Sequence, residues 1–170
     1  ILTDKKVATM TIDVINNYEK EIINPSIIGR IPFEGNKKAN GEDLGSTFTA
    51  AMVKGIEKTE GIEAGSYKIY YSSNAEATEE LGKAENGWTE VIEEAGEVKS
   101  YLIEIENYTM EQGEVMSFAY DVEIPEGLNH NESSYGTYEV NYEVEEAEGL
   151  RQESIVAPTV GATTGAGPEI

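Results

Sequence analysis

The chain has 170 residues, enough for one domain with a substantial core. Its 33 acidic and 12 basic residues give a formal charge of -21, which repels the nucleic-acid backbone and anionic lipid, so no nucleic acid and no direct membrane contact are expected. There is no cysteine, which removes disulfides, thiolate nucleophiles and cysteine metal sites, and no apolar run reaches the roughly 18 residues of a membrane-spanning helix.

Ala8, Met10, Ile12 and Val14 alternate with polar residues, which predicts a first strand ending at the Asn16-Asn17 turn. Residues 22–31 carry Ile22, Ile23, Ile27, Ile28 and Ile31, interrupted by Pro25 and followed by Pro32. Proline donates no ladder hydrogen bond, so this segment reads as a bent or edge strand. Residues 34–45 form a loop rich in Gly, Asn and Lys. Strands are predicted over 47–53, more weakly over 55–62, and around Tyr67, Ile69 and Tyr71. Ala75, Ala77 and Leu81 follow a Ser73-Asn74 cap signal and precede Gly82, so a short helical turn is expected near Asn74 to Lys83. After Asn86-Gly87 and Trp88, a strand over 98–106 places Tyr101, Ile103 and Ile105 on one face.

The clearest pattern lies in 113–144. Met116, Phe118, Tyr120, Val122 and Ile124 share one parity, and Tyr138, Val140, Tyr142 and Val144 repeat it against Thr137, Glu139, Asn141 and Glu143. Two strands with one wet face imply an antiparallel sheet. With a last strand at 152–156, the chain predicts eight or nine strands and hardly any helix. That is an all-β fold, an antiparallel immunoglobulin-like β-sandwich, with a closed barrel as the alternative. The expected core is Met10, Ile12, Phe48, Ile69, Ile103, Phe118, Tyr120, Val122, Val140 and Tyr142. The tail after Pro158 is rich in Gly, Thr and Ala, which predicts one domain over 1–157 and an extended linker over 158–170 leading to another module.

The sequence carries no complete catalytic motif. His130 is the only histidine and lies in a polar loop, with no nucleophile-elbow sequence to serve. Gly82-Lys83 lacks the rest of a phosphate loop. A hydrolase would need two of the many carboxylates in a cleft, one with a raised pKa. Asn36 to Gly41 imitates calcium-loop spacing, but Lys38 and Thr47 stand where ligands belong. Calcium held between loops, at Glu42 with Asp43 or Glu93 with Glu94, is the one cofactor expectation beyond none.

Trp88 follows a turn and could stack on a sugar with Tyr70 and Tyr135, while the plainer expectation is that it plugs the end of the sandwich. Tyr108 is likewise out of phase with its strand. Asn107-Tyr-Thr and Asn131-Glu-Ser match glycosylation sequons. Lys6 and Asn107 are the candidates for an intramolecular isopeptide bond, which requires a buried neutral lysine beside an asparagine and a protonated acid.

Tyr70-Tyr71-Ser72, then Asn86-Gly87-Trp88-Thr89, then the run from Gly113 through Met116-Ser-Phe-Ala-Tyr-Asp-Val-Glu-Ile-Pro, and finally Val156-Ala-Pro-Thr-Val-Gly, resemble the conserved tandem repeats of large cell-wall-anchored surface proteins of Gram-positive bacteria. The resemblance implies an immunoglobulin-like module that spaces or presents adhesive domains outside the cell, with no active-site residues. The partners it implies are neighbouring modules of the same polypeptide and a host matrix protein or glycan. The first residue, Ile1, and the closing Gly-Ala-Gly-Pro-Glu-Ile read as a piece of a longer polypeptide anchored through a segment elsewhere. The function expected is a non-catalytic structural or adhesive repeat, and the alternative is a carbohydrate-binding module using Trp88.

Overall fold

The computed structural model describes residues 1–63 and 66–165. In chain order the strands are β1 (Lys6–Ile15), β2 (Ile22–Arg30), β3 (Ala51–Met52), β4 (Glu57–Glu60), β5 (Tyr67–Ser72), β6 (Ser100–Ile105), β7 (Thr109–Met110), β8 (Val115–Ile124), β9 (Ser133–Glu146), β10 (Gly149–Val156) and β11 (Val160–Thr163). They form two antiparallel sheets. The smaller has the order β1-β8-β3, with β4 also on β8, and the larger has the order β10-β9-β2-β6-β5, with β7 on β2 and β11 on β9. All the pairings are antiparallel.

Period-two alternation decides which face each strand buries. Ile12 lies opposite Phe118 and Met10 opposite Tyr120, so β1 and β8 present one apolar surface to the larger sheet. That sheet answers with Ile27, Tyr101, Ile103 and Val140, and the Tyr67 ring meets Phe118 edge-on at 5.3 Å between centroids. Of the expected core, Met10, Ile12, Phe48, Ile103, Phe118, Tyr120, Val122 and Val140 are buried. Ile69 and Tyr142 are half-buried and pack on its margin.

Three expectations need correction. The isoleucine-rich segment is bent, as expected, but it is a central strand between β9 and β6 and not an edge, because its proline sits in a bulge: the β2–β9 register shifts between Ile23 and Ser26, and Asn24 takes a positive φ of 45°. Pro25 therefore never faces a ladder position that needs its missing donor. No helical turn forms over 74–83. The two short 3-10 turns are Ala84–Asn86 and Ala95–Glu97, since the earlier stretch is pulled into side-chain-bonded turns. The linker beginning at Pro158 is likewise revised. Val160–Thr163 pairs with Ser133–Gly136 of β9, Ala162 and Thr164 are buried, and the domain runs at least to Gly165. The rest of that proposed linker, 166–170, lies outside the described residues.

Both terminal segments are held by the 125–132 loop. Leu2 N–H donates to Leu128 C=O at 2.6 Å, Gly127 N–H to Leu2 C=O at 2.7 Å, Asn131 N–H to Gly165 C=O at 2.8 Å and Thr164 N–H to Glu132 C=O at 3.0 Å. The Lys6 ammonium joins the two segments directly by donating to Thr164 C=O at 3.0 Å.

Candidate functional site

The richest loop geometry surrounds Trp88. Residues 73–88 leave β5, cross the outer face of the larger sheet and return, so that Tyr71 and Thr89 exchange backbone hydrogen bonds of 2.8 and 3.0 Å. Asn86 organises the crossing from a buried position: its Nδ2 donates to Thr78 Oγ1 at 2.8 Å and Glu80 C=O at 2.9 Å, and its Oδ1 accepts from Thr78 N–H at 3.0 Å. Ser72 Oγ donates to Asn86 C=O, and Gly87 supplies the left-handed residue, φ 59°, that turns the chain towards Trp88. The Arg30 guanidinium reaches up from β2 to Ser100 Oγ at 2.6 Å and Ala77 C=O at 2.8 Å, pinning the loop down, and burial lowers its pKa.

Trp88 is half-buried and its indole N–H donates to Thr78 C=O at 2.7 Å, so the ring helps to build the loop. Tyr70 is half-buried and lines a separate depression of about 140 Å³ with Leu81, Glu104 and Glu106. Tyr135 belongs to β9, where its ring lies over Gly161 of β11, across the larger sheet from β5. The three aromatics thus form no common platform. Beside the loop, Tyr71, Ile92 and Val98 wall a hollow of about 570 Å³ whose mouth carries Glu93, Glu94 and Glu97.

Lys6 and Asn107 do not meet. Lys6 starts β1 beside Thr164, whereas Asn107 precedes β7, whose Met110 carbonyl accepts from Asn16 just past the other end of β1. The ten-residue strand separates them by ~30 Å. The calcium-like loop is closed by lysine: Lys37 bonds Asp43 at 2.8 Å, and Lys38 lies 3.7 Å from Glu42. Among the described residues, no three carboxylates or histidines converge as a metal ion would require. His130 is half-buried in the 125–132 loop, and its buried Nδ1 has no partner among the described residues.

A cleft of about 300 Å³ on the outer sheet face brings Glu79, Glu104, Glu106 and Glu143 together with Asn24, Asn141 and Gln152. Burial, then the Glu79 and Glu106 charges, raise the Glu104 pKa. Glu79 is raised by burial and by Glu139, against a hydrogen bond donated by Asn141. The sequence offers no periodic signal for this gathering, because Glu79 arrives from the crossing loop and Glu104 and Glu143 from strands distant in sequence.

Two further hollows flank the chain near Pro158. A groove of about 340 Å³ between β1 and β10 is lined by Val14, Ile15, Tyr18, Tyr142, Ile155 and Val156. On the outer face a hollow of about 710 Å³ gathers Arg30, Lys37 and Lys38 beside Val156, Pro158 and Thr159. No family model, curated protein or solved structure matches the chain.

Proposed function

We propose that this chain is a non-catalytic structural or adhesive module of a bacterial cell-surface protein, acting through shape and protein contacts. The observation that carries the reading is the clasp in which Leu2, Thr164 and Gly165 all bond the 125–132 loop and Lys6 joins them, so that the sandwich closes on itself as a unit that can be set into a longer polypeptide. The absence of cysteine and the charge of -21 fit an exposed, soluble module, and the resemblance of the Trp88 and 113–125 segments to Gram-positive surface repeats supplies the setting. Neighbouring modules of the same polypeptide and a host matrix protein or glycan are the partners this reading implies.

The carbohydrate-binding alternative now rests on Trp88 without Tyr135. It requires Trp88 emission to shift when wall or host glycans are added.

Antibodies raised against the purified chain provide the test on cells that carry it. The reading expects staining of intact cells, lost when the surface is shaved with protease. Staining that appears only after permeabilisation would contradict it.

A further inference from the structure

Among the described residues, the outer edge of β10 is a full eight-residue run of strand without a backbone partner. It ends the larger sheet, pairs only with β9, and is exposed along nearly its whole length, with Leu150 at 55%, Ile155 at 59% and Val156 at 58%. Such edges are usually blunted, and other edges here are: the Tyr138 hydroxyl donates to Asp13 C=O and accepts from Asp13 N–H on β1, and Thr89 bridges to Tyr71 on β5. Nothing comparable covers β10 among the described residues.

The edge carries a readable code. Ala157 N–H donates to Tyr138 C=O in register with the β9–β10 ladder, so odd-numbered residues of β10 direct their backbone groups at β9. The alternation of an antiparallel ladder then turns the N–H and C=O of Leu150, Gln152, Ser154 and Val156 outward. A second copy related by a two-fold axis must pair even residues with even ones. Centred on Gln152, that register sets Arg151 opposite Glu153 of the second copy, and does so twice. The neighbouring registers set Arg151 against itself or Glu153 against itself, which like charges oppose. In the favourable register Glu148 falls opposite Val156 of the second copy. The hairpin tip then lies along the hollow lined by Arg30, Glu139 and the lysines Lys37 and Lys38, which are themselves paired with Asp43 and Glu42.

We infer that β10 is a self-complementary edge through which two copies of this chain join antiparallel, about Gln152, into one continuous sheet. Arg151, which in the single chain bonds Glu146 and Glu153, exchanges Glu153 for its counterpart across the axis. One strand pair covers little area, so the association is of the weak, reversible class. The charge of -21 on each copy opposes it, so added salt strengthens it by screening that repulsion.

Sedimentation velocity over a concentration series tests this. The chain should pass from monomer to dimer, at lower concentration as sodium chloride is raised. Arg151→Glu and Glu153→Arg should each weaken self-association by about tenfold, since each replaces two attractive cross-strand pairs with two repulsive ones. Because the first variant then carries two acids and the second two arginines on this face, an equimolar mixture should form a heterodimer more readily than either associates alone. Unchanged melting temperatures of the variants establish that both are folded. A monomer at every concentration, a dimer indifferent to both substitutions, or a mixture no better than its components would each overturn the inference.

Discussion

Phe118 shows how far a single side chain can be read. Its parity in β8 puts it in the core, and it is fully buried opposite Ile12 and against Tyr67. Phe118→Ala should cost about 3 to 5 kcal/mol in urea unfolding, from lost burial and the cavity left behind. Gly29 was not legible in the same way, because only its cross-strand partner explains it. A Cβ at Gly29 would lie 2.1 Å from the Tyr101 ring, which covers the glycine from the neighbouring strand. Gly29→Ala should therefore destabilise by about 1 to 3 kcal/mol, the range for overpacking, although alanine suits a strand better than glycine does. Glu104 gives a pH signature. Its folded pKa is raised, so its ionised form burdens the native state. That burden is complete above the folded pKa and relieved as pH falls from there towards the ordinary carboxyl value. The melting temperature should rise as pH falls through that window, and Glu104→Gln should be more stable than the parent at neutral pH, with a flatter profile. Equal melting temperatures for the two proteins at neutral pH would contradict the assignment.

At the scale of elements, one-faced strands were legible and connections were not. β1, β8 and β9 follow alternation, a property of consecutive residues, whereas β6 is covered on both faces, with Leu102 buried as fully as Ile103. The bulge at Pro25, the loop over 73–88 and strand β11 depend on partners far along the chain: Tyr108 for Asn24, Arg30 for Ala77, Ser133 for Thr163. Helix-favouring residues near Ala77 lost to Asn86, which satisfies Thr78 and Glu80 from within the loop and leaves no role for a helical turn. Asn86→Ala removes several part-buried hydrogen bonds of a buried side chain at once and should cost about 2 to 3 kcal/mol. Because Trp88 bonds Thr78 on the same loop, the substitution should also shift the indole emission to the red. An unaltered spectrum would mean that the loop stands without Asn86.

Across the whole molecule, the fold class was legible and the candidate site was not. Alternation reveals which faces are buried, but the Glu79–Glu104 cleft, the β1–β10 groove and the clasp at the 125–132 loop arise from how two sheets and several loops meet. Trp88, Tyr70 and Tyr135 look like a set only in sequence. Glycine and threonine in 160–165 read as a linker until β9 offers an edge for them to pair with. With that pairing the sandwich is one closed module extending through β11. Urea unfolding, followed by both far-ultraviolet circular dichroism and Trp88 fluorescence, tests it on the chain and on a version ending at Ala157. One coincident transition is expected for the chain, with a loss of about 2 to 4 kcal/mol on truncation from the paired strand and the buried Ala162 and Thr164. An unchanged midpoint after truncation would contradict it.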